Sequence, residues 1–349
     1  MDDKHLNDWF NKRKERRKQL NSASLLEGLL SKNIGVLSSA ITLLESTRAD
    51  DRLIAKELIK SCLPYSGKSI RIGITGVPGV GKSTFIEAFG KVLLSEGKRL
   101  AVLAIDPSSE FSGGSILGDK TRMEELSHMD NVYIRPSPAG KTLGGVAKKT
   151  RESILLCEAA GFDIILIETV GVGQSETMVH SMVDFFLLLM ISGAGDELQG
   201  VKRGIMEMAD SIFITKADGD NIMKAKLASR EYQNALSLFP PNANGWIPKV
   251  SICSSVTGSN ISKVWEVIQS YENQTKLNGW FIKKRKNQDK FWFNETLKDL
   301  LLLQFFNNET IVKEIEKLEK EITDSNITSF QAAEDLFTKY LKIQNGTNI

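Results

Sequence analysis

The segment GVPGVGKST, residues 76–84, strongly constrains how this chain can fold. It matches the pattern G-x-x-x-x-G-K-[ST], whose glycines let the backbone curl until several N–H groups converge on one anion. The pattern requires a strand before it and a helix after it. IRIGIT precedes the segment and FIEAFGKVLLSEG follows it, so the sequence predicts a strand, a phosphate-binding loop and a helix in that order.

Short apolar runs alternate with segments of helical length in the middle of the chain. The runs are SIRIGIT, RLAVLAI, NVYIR, DIILIE, DFFLLLMI, SIFIT and PKVSIC. Runs that are apolar on both faces and separated by helices predict an α/β fold with a mainly parallel sheet covered on both sides. Ligands of such sheets bind beyond the carboxyl ends of the strands, so residues that follow a strand are the candidates for a site.

The two ends of the chain have helical patterns, which predicts three parts. Residues 1–65 form an N-terminal helical extension, residues 66–275 the α/β domain and residues 276–349 a C-terminal helical arm. The arm contains a narrow apolar seam with spacings of four, three and four residues: Ile311, Ile315, Leu318 and Ile322. Such a seam suits contact with another helix, either in the same chain or in a second subunit.

The composition is that of an ordinary globular protein and argues against several classes. A formal net charge of +2 over 349 residues gives no general attraction to nucleic acid or to anionic lipid. Three scattered cysteines argue against a disulfide framework and against a zinc site. The N-terminus lacks the apolar core of a secretory signal, and the longest apolar run, FFLLLMI, is too short to cross a bilayer. We therefore expect a cytoplasmic protein without a nucleic-acid or membrane partner.

Carboxylates near the ends of predicted strands are candidates to bind a divalent metal ion beside the phosphates. Glu168 ends the run DIILIE, Asp106 follows RLAVLAI, and Asp119 lies thirteen residues further on in a glycine-bearing loop. Because Mg²⁺ prefers oxygen ligands, these carboxylates fit beside the hydroxyl of Ser83. The alternatives are a polar strand boundary for Glu168 and a helix N-cap for Asp119.

The same segments supply the predicted catalytic groups. Lys82 would reach the β- and γ-phosphates, while Asp106 and Glu168 would act through the metal ion. The segment VGVGQSE after Glu168 resembles a flexible switch, in which the Gly171 N–H would sense the γ-phosphate. Gln174 in this switch is a candidate to orient the attacking water.

The segment FITKADG, residues 213–219, raises the question of base recognition. A carboxylate at Asp218 could accept two hydrogen bonds from the edge of guanine, a pair of donors that adenine lacks. The stem of Lys216 could lie over the base, with support from the later segment SICSSVTG. The alternative is that both residues are only the polar end of a core strand.

The predicted nucleotide-binding residues therefore come from the loop, the switch and the base site. They are Gly76, Val77, Pro78, Gly79, Val80, Gly81, Lys82, Ser83 and Thr84, then Gly171, and then Thr215, Lys216, Asp218, Cys253, Ser254 and Ser255.

Several long stretches resemble the MeaB/ArgK family of P-loop GTPases, which are chaperones of adenosylcobalamin-dependent methylmalonyl-CoA mutase. The stretches are GITGVPGVGKST, LAIDPSS with GGSILGDKTRM, IRPSP with TLGGVAKKTRE, IETVGVGQSE, SGAGDELQGVKRGIMEMAD and TKAD. The resemblance covers nearly the whole chain. It departs at Thr215, where the base-reading motif usually has asparagine, and we expect weaker tethering of the base to the phosphate loop.

The resemblance implies a site, cofactors and partners. It implies binding of GTP and GDP with Mg²⁺, and it assigns metal contacts to Ser83, Asp106, Asp119 and Glu168. It also implies a mutase partner and a homodimer formed through the C-terminal helices. The segment GAGDELQGVKRG, residues 193–204, would be a third mobile loop that touches the mutase, with Lys202 coupling it to the nucleotide state.

Three other functions stay open from the residues alone. A P-loop kinase that phosphorylates a protein or small molecule would need a fixed acceptor pocket and a base, which the sequence does not reveal. A nickel-insertion GTPase would need metal-holding segments, whereas the three histidines and three cysteines are scattered. A nucleotide-gated binding module would make hydrolysis incidental.

Overall fold

The computed structural model describes residues 21–105, 123–136, 143–169, 175–193 and 203–344. These residues fall into two compact units that divide between Lys286 and Asn287. The first unit contains helices from the N-terminal segment together with an α/β domain. The predicted three-part division at residues 65 and 275 stays a prediction.

One seven-stranded parallel sheet forms the centre of the first unit. Its strands are β1 (Ile70–Gly76), β2 (Leu100–Ile105), β3 (Val132–Arg135), β4 (Ile164–Thr169), β5 (Phe185–Met190), β6 (Ser211–Ile214) and β7 (Lys249–Ile252). The spatial order is β3-β2-β4-β1-β5-β6-β7, and every neighbouring pair is parallel. Each strand coincides with one of the seven apolar runs, so the predicted α/β fold with a parallel sheet is confirmed.

Among the described residues, three helices precede the sheet, and the others alternate with its strands or follow them and cover both faces of the sheet. They are α1 (Ser22–Leu30), α2 (Ile34–Glu45), α3 (Ala49–Cys62), α4 (Lys82–Ser95), α5 (Glu124–Ser127), α6 (Leu143–Ala159), α7 (Ser175–His180), α8 (Arg203–Met208), α9 (Ile222–Leu236) and α10 (Ile261–Leu277). Strands β1, β2 and β5 are fully buried because apolar side chains project from both faces into the helical layers, whereas the edge strand β7 is only half-buried.

The N-terminal helices pack on the β3 side of the domain. Helices α2 and α3 lie against α6. Glu45 at the end of α2 forms an ion pair with Arg135 at the end of β3, and its carbonyl oxygen accepts a hydrogen bond from Lys149 Nζ at 3.0 Å. These contacts join the N-terminal helices to the edge of the sheet.

A buried ion network lies at the amino ends of the central strands, opposite the phosphate loop. Arg71 in β1 donates two hydrogen bonds to Glu158 at 2.9 and 3.0 Å. Arg285 donates to both carboxylate oxygens of Asp184 at 2.7 and 2.6 Å. Burial alone would raise the pKa of Asp184, but the hydrogen bonds and charge of Arg285 lower it below its ordinary value. This network ties the start of α11 (Trp280–Phe306) to the sheet.

The second unit is helical. It contains the later part of α11, then α12 (Glu309–Thr323) and α13 (Ser329–Gln344). Helices α12 and α13 pack against each other, and Lys339 forms an ion pair with Glu314 at 2.9 Å. Of the predicted seam, Ile311 and Leu318 are buried within this single chain, while Ile322 is exposed. Within the described residues, no helix has the length and apolar content to cross a membrane.

Candidate nucleotide-binding site

The phosphate loop lies at the carboxyl edge of the sheet, between β1 and α4. Gly76 is the last residue of β1, and Lys82 is the first residue of α4. Inside the loop, the Val80 N–H donates to the Val77 carbonyl oxygen at 3.2 Å and closes a tight turn. Gly81 has a φ of 87°, a left-handed conformation that turns the chain into the helix. The structure therefore has the strand, loop and helix that the motif requires.

Glycine is required where the loop leaves the sheet. A Cβ on Gly76 would lie 2.4 Å from the carbonyl oxygen of Leu189 in β5, which is closer than real Cβ atoms approach. A Cβ on Gly79 or Gly81 would instead meet no described atom within 4 Å. The loop is thus packed tightly against β5 on one side and open on the other, where its curled backbone can receive a phosphate chain.

Lys82 lies across the phosphate loop. Its Nζ atom donates to the carbonyl oxygens of Gly76 at 2.9 Å and Val77 at 3.4 Å. Burial lowers the pKa of Lys82, whereas the nearby carboxylates of Glu168 and Glu176 act in the opposite direction and favour its charged form. The loop therefore contains a half-buried cation that carboxylates help to keep protonated.

Glu168 is positioned beside the hydroxyl that follows the loop lysine. It lies in β4 opposite Ile74 of β1, and its Oε1 atom accepts a hydrogen bond from Ser83 Oγ at 3.4 Å. One residue further along both strands, the Thr169 hydroxyl donates to the Thr75 hydroxyl at 2.8 Å in a fully buried contact. This pair fixes the carboxyl ends of β1 and β4 together, so Glu168 and Ser83 face the same place.

The side-chain oxygen atoms of Ser83 and Glu168 fit a magnesium ion at this place. Within the described ranges, no three His, Cys, Asp or Glu side chains come together in the manner of an all-protein metal site. Mg²⁺ at a phosphate site needs only one or two protein oxygens, because phosphate and water complete its shell. A hydroxyl from Ser83 and a carboxylate from Glu168 are oxygen donors of the required kind.

The segment predicted to read the base, residues 215–218 and called the base segment below, begins at the end of β6 and is tied directly to the phosphate loop. The Thr215 hydroxyl donates to the Val80 carbonyl oxygen at 2.8 Å and is 3.2 Å from that of Met190. A hydroxyl has only one proton, so these two carbonyl groups share it. A tether is therefore present despite the threonine. Its weakness relative to an asparagine tether stays a prediction.

Asp218 and Ser254 meet where β6 and β7 end side by side. The Ser254 hydroxyl donates to Asp218 Oδ2, and the Thr257 N–H donates to Ser254 Oγ at 3.2 Å. Lys216 is exposed, and its backbone has a φ of 55°, which is uncommon for a residue other than glycine. Ser254 thus orients the carboxylate that is predicted to read guanine.

The other two predicted residues of the β7 segment have different roles in the structure. Cys253 is buried, and burial raises the pKa of its thiol to about 12, so the thiol stays protonated near neutral pH. Its backbone carbonyl accepts from the Ala217 N–H at 3.1 Å. Cys253 therefore supports the base segment through its backbone, while Ser255 is half-buried beside it.

Some of the predicted site residues lie outside the described residues. They are Asp106, Asp119 and Gly171, together with Gln174, Lys202 and the 194–202 part of the third loop. Their assigned roles stay predictions. The described members, from the phosphate loop, β4, β6 and β7, lie at one edge of the sheet.

Two residues that sequence reasoning missed belong to this site. Glu176, at the start of α7, is almost fully buried and acts on the charge of Lys82. The segment VGVGQSE contains it, but its glycines and glutamine are the residues that suggest a switch. Asn221 has the sequence position of an ordinary helix start, yet its side chain bonds to the base segment and to Ser192, beyond β5.

The fold and the loop geometry define a P-loop nucleotide-binding protein of the α/β class. The family model described as methylmalonyl Co-A mutase-associated GTPase MeaB matches residues 37–310. The chain belongs to this family, which confirms the resemblance given by the motifs, and it is a GTPase that binds guanine nucleotides.

Similar proteins support the same assignment. A putative GTPase of Caulobacter vibrioides is 47% identical over 91% of this chain and 97% of its own length. GTPase ArgK of Escherichia coli is 43% identical over 83% of this chain and 88% of its own length. The crystal structure of a LAO/AO transport system kinase superposes with a TM-score of 0.74 at 33% identity, covering 92% of this chain and 97% of that one.

Proposed function

We propose that this protein is a Mg²⁺-dependent GTPase switch for an adenosylcobalamin-dependent acyl-CoA mutase, with methylmalonyl-CoA mutase as the client. It would gate the loading of cobalamin into the mutase and protect or reactivate that enzyme in the cytoplasm. The observation that carries the proposal is membership of a family that couples GTPase activity with association to this mutase. The client role rests on that likeness, whereas the chemistry rests on the site.

Charge neutralisation at the γ-phosphate is the main task of the proposed site. Lys82 and the loop N–H groups would stabilise the negative charge that develops during phosphoryl transfer to water. When bound, Mg²⁺ would supply further neutralisation of the phosphate charge. Ser83 and Glu168 would hold the ion, joined by Asp106 and Asp119. Gln174 is the candidate to orient the attacking water. Intrinsic turnover of GTP would be slow until a partner protein orders the switch segments.

Base recognition provides the sharpest test of the proposed site. In Asp218→Asn, the carboxylate that accepts from the guanine amine becomes an amide that can donate to the corresponding oxygen of xanthine. We expect preference to move from GTP to xanthosine triphosphate in a direct binding measurement. An unchanged affinity for GTP would remove Asp218 as the base reader.

The same variant separates a nucleotide switch from a passive partner of the mutase. Loading of cobalamin into purified methylmalonyl-CoA mutase is followed by the visible absorbance of cobalamin. The proteins compared are the wild type, Asp218→Asn and Lys82→Ala, for which we expect no GTP hydrolysis. We expect loading to follow GTP with the wild type and xanthosine triphosphate with Asp218→Asn. Loading that ignores the nucleotide contradicts the switch. Equal loading with a non-hydrolysable analogue would instead indicate a binding module.

The proposal includes a homodimer formed by the C-terminal helices. Four consecutive leucines of α11, Leu300, Leu301, Leu302 and Leu303, are each 54–57% exposed in the single chain. Exposed apolar area of this extent on one helix is typical of an interface. A second copy is the proposed occupant, in agreement with the C-terminal dimer that the resemblance implies.

Transfer of phosphate to an acceptor is the alternative reaction, because the similar solved structure is that of a protein named as a kinase. The two reactions differ in where the labelled γ-phosphate goes. We expect release as inorganic phosphate. A label on a protein or on an amino acid would favour the kinase.

A nickel-carrying role is less favoured because all three cysteines, at positions 62, 157 and 253, are buried far apart along the chain.

A further inference from the structure

Asn221 is the last residue of a short 3₁₀ helix, Gly219–Asn221, that runs directly into α9, and its side chain does not cap the helix. It is the residue before α9, and no side-chain hydrogen bond to the first turn of that helix is made. An asparagine with the extended backbone of a true N-cap commonly accepts a hydrogen bond from the second or third N–H of the helix, whereas the backbone of Asn221 is helical, with a φ of −84° and a ψ of −10°. Here the amide is directed elsewhere, and its two atoms bond to two different segments.

The amide nitrogen of Asn221 holds the backbone of Lys216. Asn221 Nδ2 donates to the carbonyl oxygen of Lys216 at 2.6 Å. The Asn221 N–H donates to the Asp218 carbonyl oxygen at 3.0 Å, so the segment from Lys216 to Asn221 closes on itself. The left-handed conformation of Lys216 is costly for a residue with a side chain and persists only where its surroundings hold it. The Asn221 amide is such a support.

The amide oxygen anchors this closed segment to the neighbouring strand. The hydroxyl of Ser192, two residues beyond the end of β5, donates to Asn221 Oδ1 at 2.7 Å. Because the Lys216 carbonyl can only accept, the amide nitrogen must face it and the oxygen must face Ser192, which fixes the orientation of the amide. Strand β5 lies between β1 and β6, so the anchor is on the strand next to the phosphate loop.

We propose that Asn221 is a positioning residue for guanine recognition, which clamps the Lys216 carbonyl and fastens the base segment to Ser192. Asn221 does not itself touch the base. It acts through Lys216, whose stem would cover the base, and through Asp218, whose carboxylate would accept from its edge. The inference rests on the proposed guanine site and adds to it a residue that determines how precisely the base is held.

Discrimination between GDP and inosine diphosphate is the readout that a purely structural role would not change. Inosine lacks the exocyclic amine, so the ratio of the two dissociation constants reports how well Asp218 meets that amine. In Asn221→Ala we expect the dissociation constant for GDP to rise about tenfold, the size expected for one or two lost hydrogen bonds. The ratio between the two nucleotides should fall toward one, because the loosened segment no longer places Asp218.

Two further variants divide the clamp into its halves, and a third is the control. Asn221→Asp keeps an acceptor for the Ser192 hydroxyl but cannot donate to Lys216, so it should resemble Asn221→Ala. Ser192→Ala should weaken GDP binding less, and its effect should not add to that of Asn221→Ala because both act through one contact. Asn234→Ala, at an exposed position of α9, is the matched control and should retain the wild-type ratio.

The outcomes separate this inference from the site on which it depends. Unchanged GDP affinity in both Asn221 variants would overturn the inference. Equal losses for both diphosphates would also overturn it, because Asn221 would then act on the fold alone. If the wild-type protein itself fails to prefer GDP over inosine diphosphate and ADP, the guanine site is wrong and the inference fails with it. Thermal unfolding of each variant identifies any loss that comes from misfolding.

Discussion

At the scale of single residues, Thr215 determines how the base segment is joined to the phosphate loop. Its side chain is buried, its hydroxyl bonds to the Val80 carbonyl, and its N–H donates to the Met190 carbonyl at 2.7 Å. Removing the hydroxyl would leave the Val80 carbonyl without this donor, while the backbone bond to Met190 would stay. The effect should therefore be on nucleotide binding more than on the sheet.

Thr215→Val tests this tether with almost no change of volume. We expect GDP to dissociate about tenfold faster, since one buried hydrogen bond is worth on the order of 1 kcal/mol and an unsatisfied carbonyl adds to the loss. Stopped-flow release of a fluorescent GDP measures the rate. Thr215→Ser keeps the hydroxyl and is the matched control. Equal rates for the valine and serine variants would show that the hydroxyl contributes nothing to nucleotide retention.

Glu176 should govern the alkaline limb of the pH profile through Lys82. The protonated lysine is the useful form, so activity is present below its pKa and is lost as the pH rises through it. Burial already lowers this pKa, and Glu176 is one of two carboxylates that oppose the fall. In Glu176→Gln we therefore expect the alkaline limb of kcat/KM to move to lower pH.

Steady-state hydrolysis is measured through the alkaline range below the ordinary lysine pKa of about 10.4, because burial lowers the pKa of Lys82. Glu96→Gln, at the exposed end of the same helix as Lys82, provides the control. A limb that stays in place in Glu176→Gln, while the overall rate falls, would mean that Glu176 supports the fold near α7 and not the charge of Lys82.

At the scale of elements, Arg285 links the start of α11 to the base of the sheet. Besides Asp184, it donates to the carbonyl oxygens of Gly67 and Ser69, each at 2.6 Å. The Asp184 carboxylate also accepts from the Arg71 N–H at 2.8 Å. Removing the guanidinium leaves a buried carboxylate without its main partner, and such losses are far larger than the net value of the ion pair.

Arg285→Ala should lower the free energy of unfolding by roughly 3–5 kcal/mol at neutral pH. The exposed neighbour Lys286→Ala should change it by less than about 0.5 kcal/mol. Because the pKa of Asp184 is depressed, the pair contributes above the ordinary carboxyl pKa of about 4 and this contribution is lost as the pH falls further. Urea unfolding at several pH values should therefore show the difference shrinking in acid. A difference that is constant down to low pH would contradict the ion pair.

The elements differ in how far their roles could be predicted from sequence. The parallel sheet and the phosphate loop were predictable because each depends on local pattern: apolar runs, glycines, and a lysine followed by a hydroxyl. The ion network was not, because its members are distant in the chain; Arg285 and Gly67 are 218 positions apart. The Asn221 clamp was also missed, since an asparagine before a helix has a common local explanation and only the folded chain brings Ser192 to it.

At the scale of the whole molecule, the exposed apolar side chains of the C-terminal unit need an explanation. Ile311 and Leu318 of the predicted seam are already buried within the chain, so they are not available to a second copy. The leucines of α11 at positions 300–303 point in several directions and are all about half exposed. Consecutive leucines around a helix cannot all be covered by one neighbouring helix. They fit a helix that is enclosed on more than one side, as the proposed second copy would enclose it.

Replacing two of these leucines should separate the chains. In Leu300→Glu with Leu303→Glu, charges placed in an apolar interface cost more free energy than a dimer of moderate affinity can supply, so we expect a monomer at micromolar concentration. Analytical ultracentrifugation of the wild type should give a dimer. Lys313→Glu, at an exposed polar position of α12, is the control and should leave the dimer intact.

Intrinsic GTP hydrolysis should persist in the monomer, because the leucines lie in the C-terminal unit and the described nucleotide site lies in the first unit. A wild-type protein that sediments as a monomer at all concentrations would remove the homodimer from the proposal and leave these leucines to the mutase or another partner.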